Sequence, residues 1–346
     1  MTTSRTASLR AWLPSGLLGF VDDTSSRVAS TGQTLGLRTG FAAVRALPAS
    51  TAYRLFDLIA DVSVRRGGKG VDRLRANYAR VRPELGEREL DALVRAGMRS
   101  YMRYYCDSFR LVDRTQDELA EAVRMIGAEP VRAALASGSG CVVFLGHMGN
   151  WDSAGAWSSG HLAPVTTVVE RLEPEAVFRD FLEFRESLGM TIIPLSGAGD
   201  PFLALKQAIG RGAFVALLAD RDLTHNGVEV DLCGHRARMA KGPAVLAVMT
   251  KAPLFAATVW YEEAPELPSG KRVVIQMIPV PTPAEGTTRD KVQVMVQKCA
   301  DLLGDAITRH TEDWHMLQRI FVADLADRAG PDDPRHPEAS TSAVSS

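Results

Sequence analysis

The sequence predicts a three-layer α/β/α domain preceded by an α-helical N-terminal region. Two observations carry the prediction. Beyond Gly140 short continuous apolar runs of strand length recur, beginning with Cys141-Val-Val-Phe-Leu145, and helical patterns lie between several of them. Before Val112 the apolar positions instead recur at helical spacing. Strands alternating with helices imply an α/β core with parallel pairing. The expected organisation is an N-terminal extension over 1–37, partly disordered, a domain over 38–328 whose first part, 38–112, is helical and membrane-associating, and a disordered tail over 329–346.

Trp12, Leu13, Leu17, Leu18, Phe20 and Val21 stand in a Ser/Thr/Gly setting that suits a short amphipathic piece. From Arg38 to Val64 the spacing predicts two helices broken at Pro48, the second stopped by Gly67 and Gly68 and favourably charged at its end by Arg65, Arg66 and Lys69. Further helices are expected over 74–81 and 87–111. The second carries Leu90, Leu93, Val94, Met98, Tyr101, Met102 and Tyr105 as an apolar stripe, read first as core packing. The expected strands are 141–145, 165–169, 190–194, 214–218, 254–260 and 273–278, with helices over 175–188, 202–209 and 289–310. A tail rich in Pro, Asp, Ser and Ala follows.

Of 346 residues, 46% are hydrophobic and 23% charged, enough apolar material for a sizeable core. The net charge of −1 argues against a nucleic-acid partner. It conceals a basic front end, twelve Lys and Arg against five Asp and Glu in residues 1–80, which suits an anionic membrane surface. Cys106, Cys141, Cys233 and Cys299 form no C-x-x-C pair, so neither a metal site nor a disulfide framework is expected, and a reducing compartment is the natural setting. No apolar run approaches the roughly 20 residues of a bilayer-spanning helix, and no signal-peptide pattern opens the chain.

The segment Leu145-Gly-His-Met-Gly-Asn-Trp-Asp152 carries the most chemistry. A buried strand ends at Gly146 and a helix opens after it, so His147 sits at the strand's C-terminal end, where open α/β sheets bind ligands and helix N–H groups are free. Histidine accepts and returns protons near neutral pH. Asp152 lies close enough to orient the imidazole if the chain turns between them, or else to pin that turn. Backbone N–H groups over Gly149 to Trp151 are candidate oxyanion donors.

The string G-H-x-G-N-W-D, followed by Phe184-Arg-Glu-Ser-Leu-Gly189, Asp220-Arg-Asp-Leu223 and Asp313-Trp-His-Met-Leu-Gln318, resembles the bacterial lipid A biosynthesis-type lysophospholipid acyltransferase family. Within it the sequence is most similar to the phosphatidylinositol mannoside acyltransferases of actinobacteria. The resemblance runs from about Arg38 to Leu325 and takes in Glu170-Arg-Leu-Glu-Pro-Glu175, Pro194-Leu-Ser-Gly197, Gly227-Val-Glu-Val-Asp231 and Gly242-Pro-Ala244.

This resemblance implies acyl-CoA-dependent transfer of a fatty acyl group to a mannose hydroxyl of a phosphatidylinositol mannoside. It implies a peripheral enzyme at the cytoplasmic face of the inner membrane, with acyl-CoA and the glycolipid as co-substrates and neither a metal nor another cofactor. The family's histidine falls on His147 as general base and its aspartate on Asp152. A glutamate that pairs with the histidine falls on Asp220, one methylene shorter, so that Asp152 or Asp222 is a further candidate for the pairing. Arg185 matches an arginine of the acyl-donor site. Asn150 and Arg221 are expected at the substrate, and Arg236 and Arg238 are further candidates for phosphate. His225, His235 and His315 are expected to be surface or packed residues.

The rival classes have less to rest on. There is no G-x-S-x-G elbow for a serine hydrolase, Gly138-Ser-Gly140 precedes its strand instead of following it, and no H-E-x-x-H string supports zinc hydrolysis. Another glycolipid or a lysophospholipid as acceptor, and a non-catalytic lipid-binding protein, remain as alternatives.

Overall fold

The computed structural model describes residues 44–169, 175–195, 200–222 and 226–326. The expected extension over 1–37, the disordered tail and His225 lie outside them.

After a helical turn over 44–46, the described residues continue with α1 (Ala49–Arg66), α2 (Lys69–Val81) and α3 (Glu87–Leu111). Pro48 sets the start of α1 at its N-cap, and Gly67, at a φ of 69°, ends it. Lys69 does not cap α1 as expected but opens α2. On α3, Leu90, Val94, Met98 and Met102 are buried in the main core, so the apolar stripe is spent on packing within the protein. Among the described residues no helix is long and apolar enough to cross a membrane.

The chain continues through α4 (Gln116–Ala122), β1 (Val123–Ile126) and α5 (Ala128–Ala136) into the central strand β2 (Cys141–Leu145), followed by α6 (Trp151–His161). Next come β3 (Val165–Val169), α7 (Glu175–Ser187), β4 (Thr191–Pro194), α8 (Pro201–Gly210) and β5 (Phe214–Leu218). A hairpin of β6 (Val228–Leu232) and β7 (His235–Met239) precedes α9 (Gly242–Thr250), β8 (Leu254–Glu263), β9 (Lys271–Val280), α10 (Thr288–Arg309) and α11 (Val322–Ala326).

Seven strands form one sheet in the order β1-β9-β8-β2-β5-β3-β4. The pairing is parallel except between β8 and β9, a departure from the expected parallel sheet that follows from the short loop joining the two strands. Side chains of β2 alternate between two cores. Cys141, Val143 and Leu145 face α4 to α6, while Val142 and Phe144 face the core that contains α8 to α10. This makes the three layers. The N-terminal helices join the second core through Met148, Trp314, Met316 and Phe321 at the C-terminal end of the strands.

Candidate active site

Strands β2 and β5 are parallel neighbours in register, Leu145 opposite Leu218. Two residues past each, His147 and Asp220 therefore arrive side by side. The His147 backbone N–H donates to Asp220 Oδ2 at 2.9 Å, and His147 Nδ1 lies 2.6 Å from Asp220 Oδ1. Asp220 is fully buried, and its Oδ2 also accepts from the Trp314 indole N–H at 3.3 Å. Burial alone would push its carboxyl up. The adjoining His147, through charge, ring and backbone N–H, together with the indole, outweighs that and holds it below the ordinary carboxylate range. An ionised Asp220 holds the proton of a neutral imidazole on Nδ1, which leaves Nε2 as the acceptor. The His147 side chain keeps 17% of its surface exposed, so the pair has a dry carboxylate behind a reachable imidazole.

Asp152 does not reach His147. Its Oδ1 accepts from Arg185 Nε at 2.8 Å and its Oδ2 from the Tyr104 hydroxyl at 2.6 Å. Of the two roles open to Asp152, orienting the imidazole is corrected here: Asp152 sits in the first turn of α6, turned toward α3 and α7, and both its oxygens are taken. Arg185 is thereby held in a nearly dry ion pair, 17% exposed on its side and 3% on the aspartate's.

Asn150 is corrected as well. It was expected at the substrate, but it is fully buried as the N-cap of α6, its Oδ1 accepting from Ser153 N–H and its Nδ2 donating to Asp107 at 3.4 Å. Of the expected oxyanion donors, the Gly149 N–H is committed to the Asp313 carbonyl at 2.8 Å and Asn150 is fully buried, which leaves Trp151 from that stretch. Arg221, half-buried next to Asp220, is close enough to Tyr101 for its charge to act on that hydroxyl. Arg236 and Arg238 are away on the β6–β7 hairpin, paired with Glu229. Among the described residues no group of three or more His, Cys, Asp and Glu is arranged to hold a metal ion.

A seam of α3 that periodicity concealed supports all of this. Ser100, Tyr104 and Asp107 share one face of the helix at i, i+4 and i+7. Ser100 donates to Asp313 at 2.5 Å, Tyr104 to Asp152, and Asp107 accepts from Tyr53 at 2.5 Å and Tyr261 at 2.7 Å. Polar residues at that spacing inside an otherwise apolar stripe were the available signal.

Beneath α6, against the face of Val143, Leu145, Ala216 and Leu218, lies a mostly apolar cavity that opens partly to solvent. Trp151, Asp152 and Arg185 are its lining at the N-terminal end of α6. The Trp151 ring also stands edge-on to His147, with 5.5 Å between centroids. The arrangement brings an imidazole–carboxylate pair, a held cation and an apolar trough together.

The sequence matches the bacterial lipid A biosynthesis acyltransferase family over residues 23–322. It is 39% identical over 306 residues to the phosphatidylinositol mannoside acyltransferase of Mycolicibacterium smegmatis, covering 88% of this chain and 96% of that one. It is also 39% identical over 308 residues to the protein of the same name in Mycobacterium tuberculosis, covering 88% and 93%. The chain belongs to the bacterial lipid A biosynthesis acyltransferase family.

Proposed function

We propose that the protein transfers a fatty acyl group from acyl-CoA to a mannose hydroxyl of a phosphatidylinositol mannoside, with His147 as general base. The observation that carries this reading is the 2.6 Å contact of His147 Nδ1 with a fully buried Asp220, beside an apolar cavity. The names of the mycobacterial relatives supply the acceptor.

A thioester is already activated, so the site needs to align two substrates, remove a proton and hold an oxyanion. His147 Nε2 takes the proton of the sugar hydroxyl as its oxygen attacks the thioester carbonyl. The resulting oxyanion is met by the Trp151 N–H at the start of α6. Collapse breaks the carbon–sulfur bond, and the imidazolium returns its proton to the departing thiolate. Asp220 fixes the tautomer and stabilises the imidazolium between these steps. The acyl chain lies in the cavity under α6, where burial of each methylene contributes roughly 0.8 kcal/mol. Arg185, held rigid by Asp152, presents its cation at that cavity to the acyl donor. The reaction takes place with the protein peripheral to the inner membrane at its cytoplasmic face, the basic N-terminal part against anionic lipid.

Labelled palmitoyl-CoA offered with mannosylated phosphatidylinositols, lysophospholipids or water tests the reading. Product on the mannoside, abolished by His147→Ala, supports it. Label released only as free fatty acid identifies a thioesterase instead, and transfer retained by His147→Ala removes His147 as the base.

A further inference from the structure

The string Asp313-Trp-His315 takes no part in the transfer just described, yet it touches both halves of the dyad. The His315 N–H donates to the His147 carbonyl at 2.8 Å, the Gly149 N–H to the Asp313 carbonyl at 2.8 Å, and Met148 bridges Trp314 between them. The same three residues thus hold the loop that carries the histidine. Trp314 extends its indole N–H to the carboxylate behind that histidine.

We propose that Trp314 is a positioning residue for the His147–Asp220 pair, its indole N–H fixing the rotation of the Asp220 carboxylate so that Oδ1 stays on His147 Nδ1. This rests on the reading of His147 as general base. The torsion that turns a carboxylate is broad and holds no orientation by itself, so its donors must set the angle. Oδ2 has two, the His147 backbone N–H and the indole, and Oδ1 has the imidazole. The indole is itself immobile. Trp314 is fully buried, its carbonyl accepts from the Tyr78 hydroxyl at 2.9 Å, and its two neighbours are tied to Ser100 of α3. Because one rigid segment grips the histidine loop and the carboxylate together, their separation is set by that segment and not by the short aspartate side chain.

The titratable and charged groups around the pair are Asp313 and His315 on the same segment, Tyr101 and Tyr104 on α3, the Asp152–Arg185 ion pair across α6 and α7, and Arg221 and Asp222 following Asp220. Tyr104 and the ion pair are bonded to one another, and none of these groups is a donor to Asp220 in the way Trp314 is.

The test is Trp314→Phe in the full-length enzyme, assayed for acyl transfer across pH, alone and combined with Asp220→Ala. With the carboxylate free to rotate, Oδ1 no longer stays on Nδ1 and the imidazolium loses part of its support, so the acidic limb of kcat/KM moves down by about half a pH unit. The kcat falls by about tenfold while KM for acyl-CoA is unchanged. In the Asp220→Ala background Trp314→Phe adds little further loss, because nothing remains for it to act through. An unmoved limb with unchanged kcat, or a full additional loss in the Asp220→Ala background, overturns the proposal. If Trp314→Phe does not fold, 3-benzothienylalanine at position 314 keeps the ring's shape without its N–H and is read the same way. Activity surviving in His147→Ala is a different failure, that of the base assignment, and is measured in the same series.

Discussion

Replacing Asp220 with asparagine changes one carboxylate oxygen to an amide nitrogen, and the structure dictates which way round the amide must sit. The Oδ2 position faces two N–H donors, His147 N at 2.9 Å and Trp314 Nε1 at 3.3 Å, so the amide oxygen has to occupy it. The NH2 group is then forced onto His147 Nδ1 across the 2.6 Å contact. A donor there can be met only by a bare Nδ1, which moves the ring proton to Nε2 and removes the lone pair that accepts the sugar's proton in the proposed mechanism. Asp220→Asn also leaves no negative charge to stabilise the imidazolium. The wrong tautomer in a histidine–aspartate pair costs about 10⁴ in kcat, which is roughly 5 kcal/mol in the transition state. KM for acyl-CoA stays within a few-fold, because the acyl cavity is untouched. Steady-state transfer of labelled palmitate measures the rate, and the nitrogen chemical shifts of the His147 ring report the tautomer. An Asp220→Asn enzyme within tenfold of wild type, or a ring still protonated on Nδ1, refutes the argument.

Other outcomes follow from the same geometry. Asp152→Ala strands Arg185 and takes the acceptor from Tyr104, so it lowers stability by about 3–5 kcal/mol, seen as a reduced urea midpoint at constant slope; a change under 1 kcal/mol means the ion pair is not dry. Ala216→Leu fills part of the cavity under α6 and shifts preference toward acyl-CoA chains shorter than palmitoyl by tenfold or more, read from competing donors; an unchanged ratio places the chain elsewhere. Gly149 has a φ of 54°, and a Cβ there would stand 2.8 Å from the Val259 carbonyl, so Gly149→Ala displaces the His147 loop and suppresses transfer, whereas normal kinetics would show that the loop adapts. Burial raises Asp313 to about 6, so its share of stability is full below its unfolded value and is lost as pH climbs toward 6. His315, lowered to about 3 chiefly by burial, contributes stability that is lost as pH falls below its unfolded value near 6.5. The two slopes oppose each other between about pH 4 and 6, and Asp313→Asn removes one of them. Its unfolding free energy from urea titration therefore gains a rise with pH in that window of roughly 1.4 kcal/mol per unit, and equal pH curves for variant and wild type would contradict it.

Much of the frame was legible because burial writes itself into sequence at fixed periods. The strands β2, β3 and β5 fall on the continuous apolar runs, and α3 spans the residues its periodicity gave, 87–111, with the Gly86 N–H bonded to Glu89 at its start. The short helices α4, α5, α9 and α11 escaped, as did one strand and the hairpin. Strand β1 is four residues long at the sheet edge, too short for a period to show. The β6–β7 hairpin turns at Cys233 and Gly234, both at positive φ, a pair that lacks the Asn-Gly or Asp-Gly signal of such turns. The placement of His147 at a strand end was readable from the run that precedes it. Asp220 entered only through resemblance, since nothing in its own neighbourhood distinguished it from Asp152 or Asp222.

By itself the sequence determined the layered α/β class, the family and the position of the histidine at the end of a buried strand. Each of these depends on local pattern or on strings of consecutive residues. Among the carboxylates that the resemblance left as candidates, the one that stands behind the histidine was decided by tertiary structure. Asp220 is 73 residues away in the chain but adjacent in space, because β5 returns to lie beside β2 in parallel register. Asp152, five residues away, is carried off by the first turn of α6 to Arg185 and Tyr104. Proximity along a chain says little about proximity across a sheet, where neighbours are chosen by the packing of whole strands and helices. The same holds for Trp314 and the polar seam of α3, whose partners lie on elements that only the folded chain brings together.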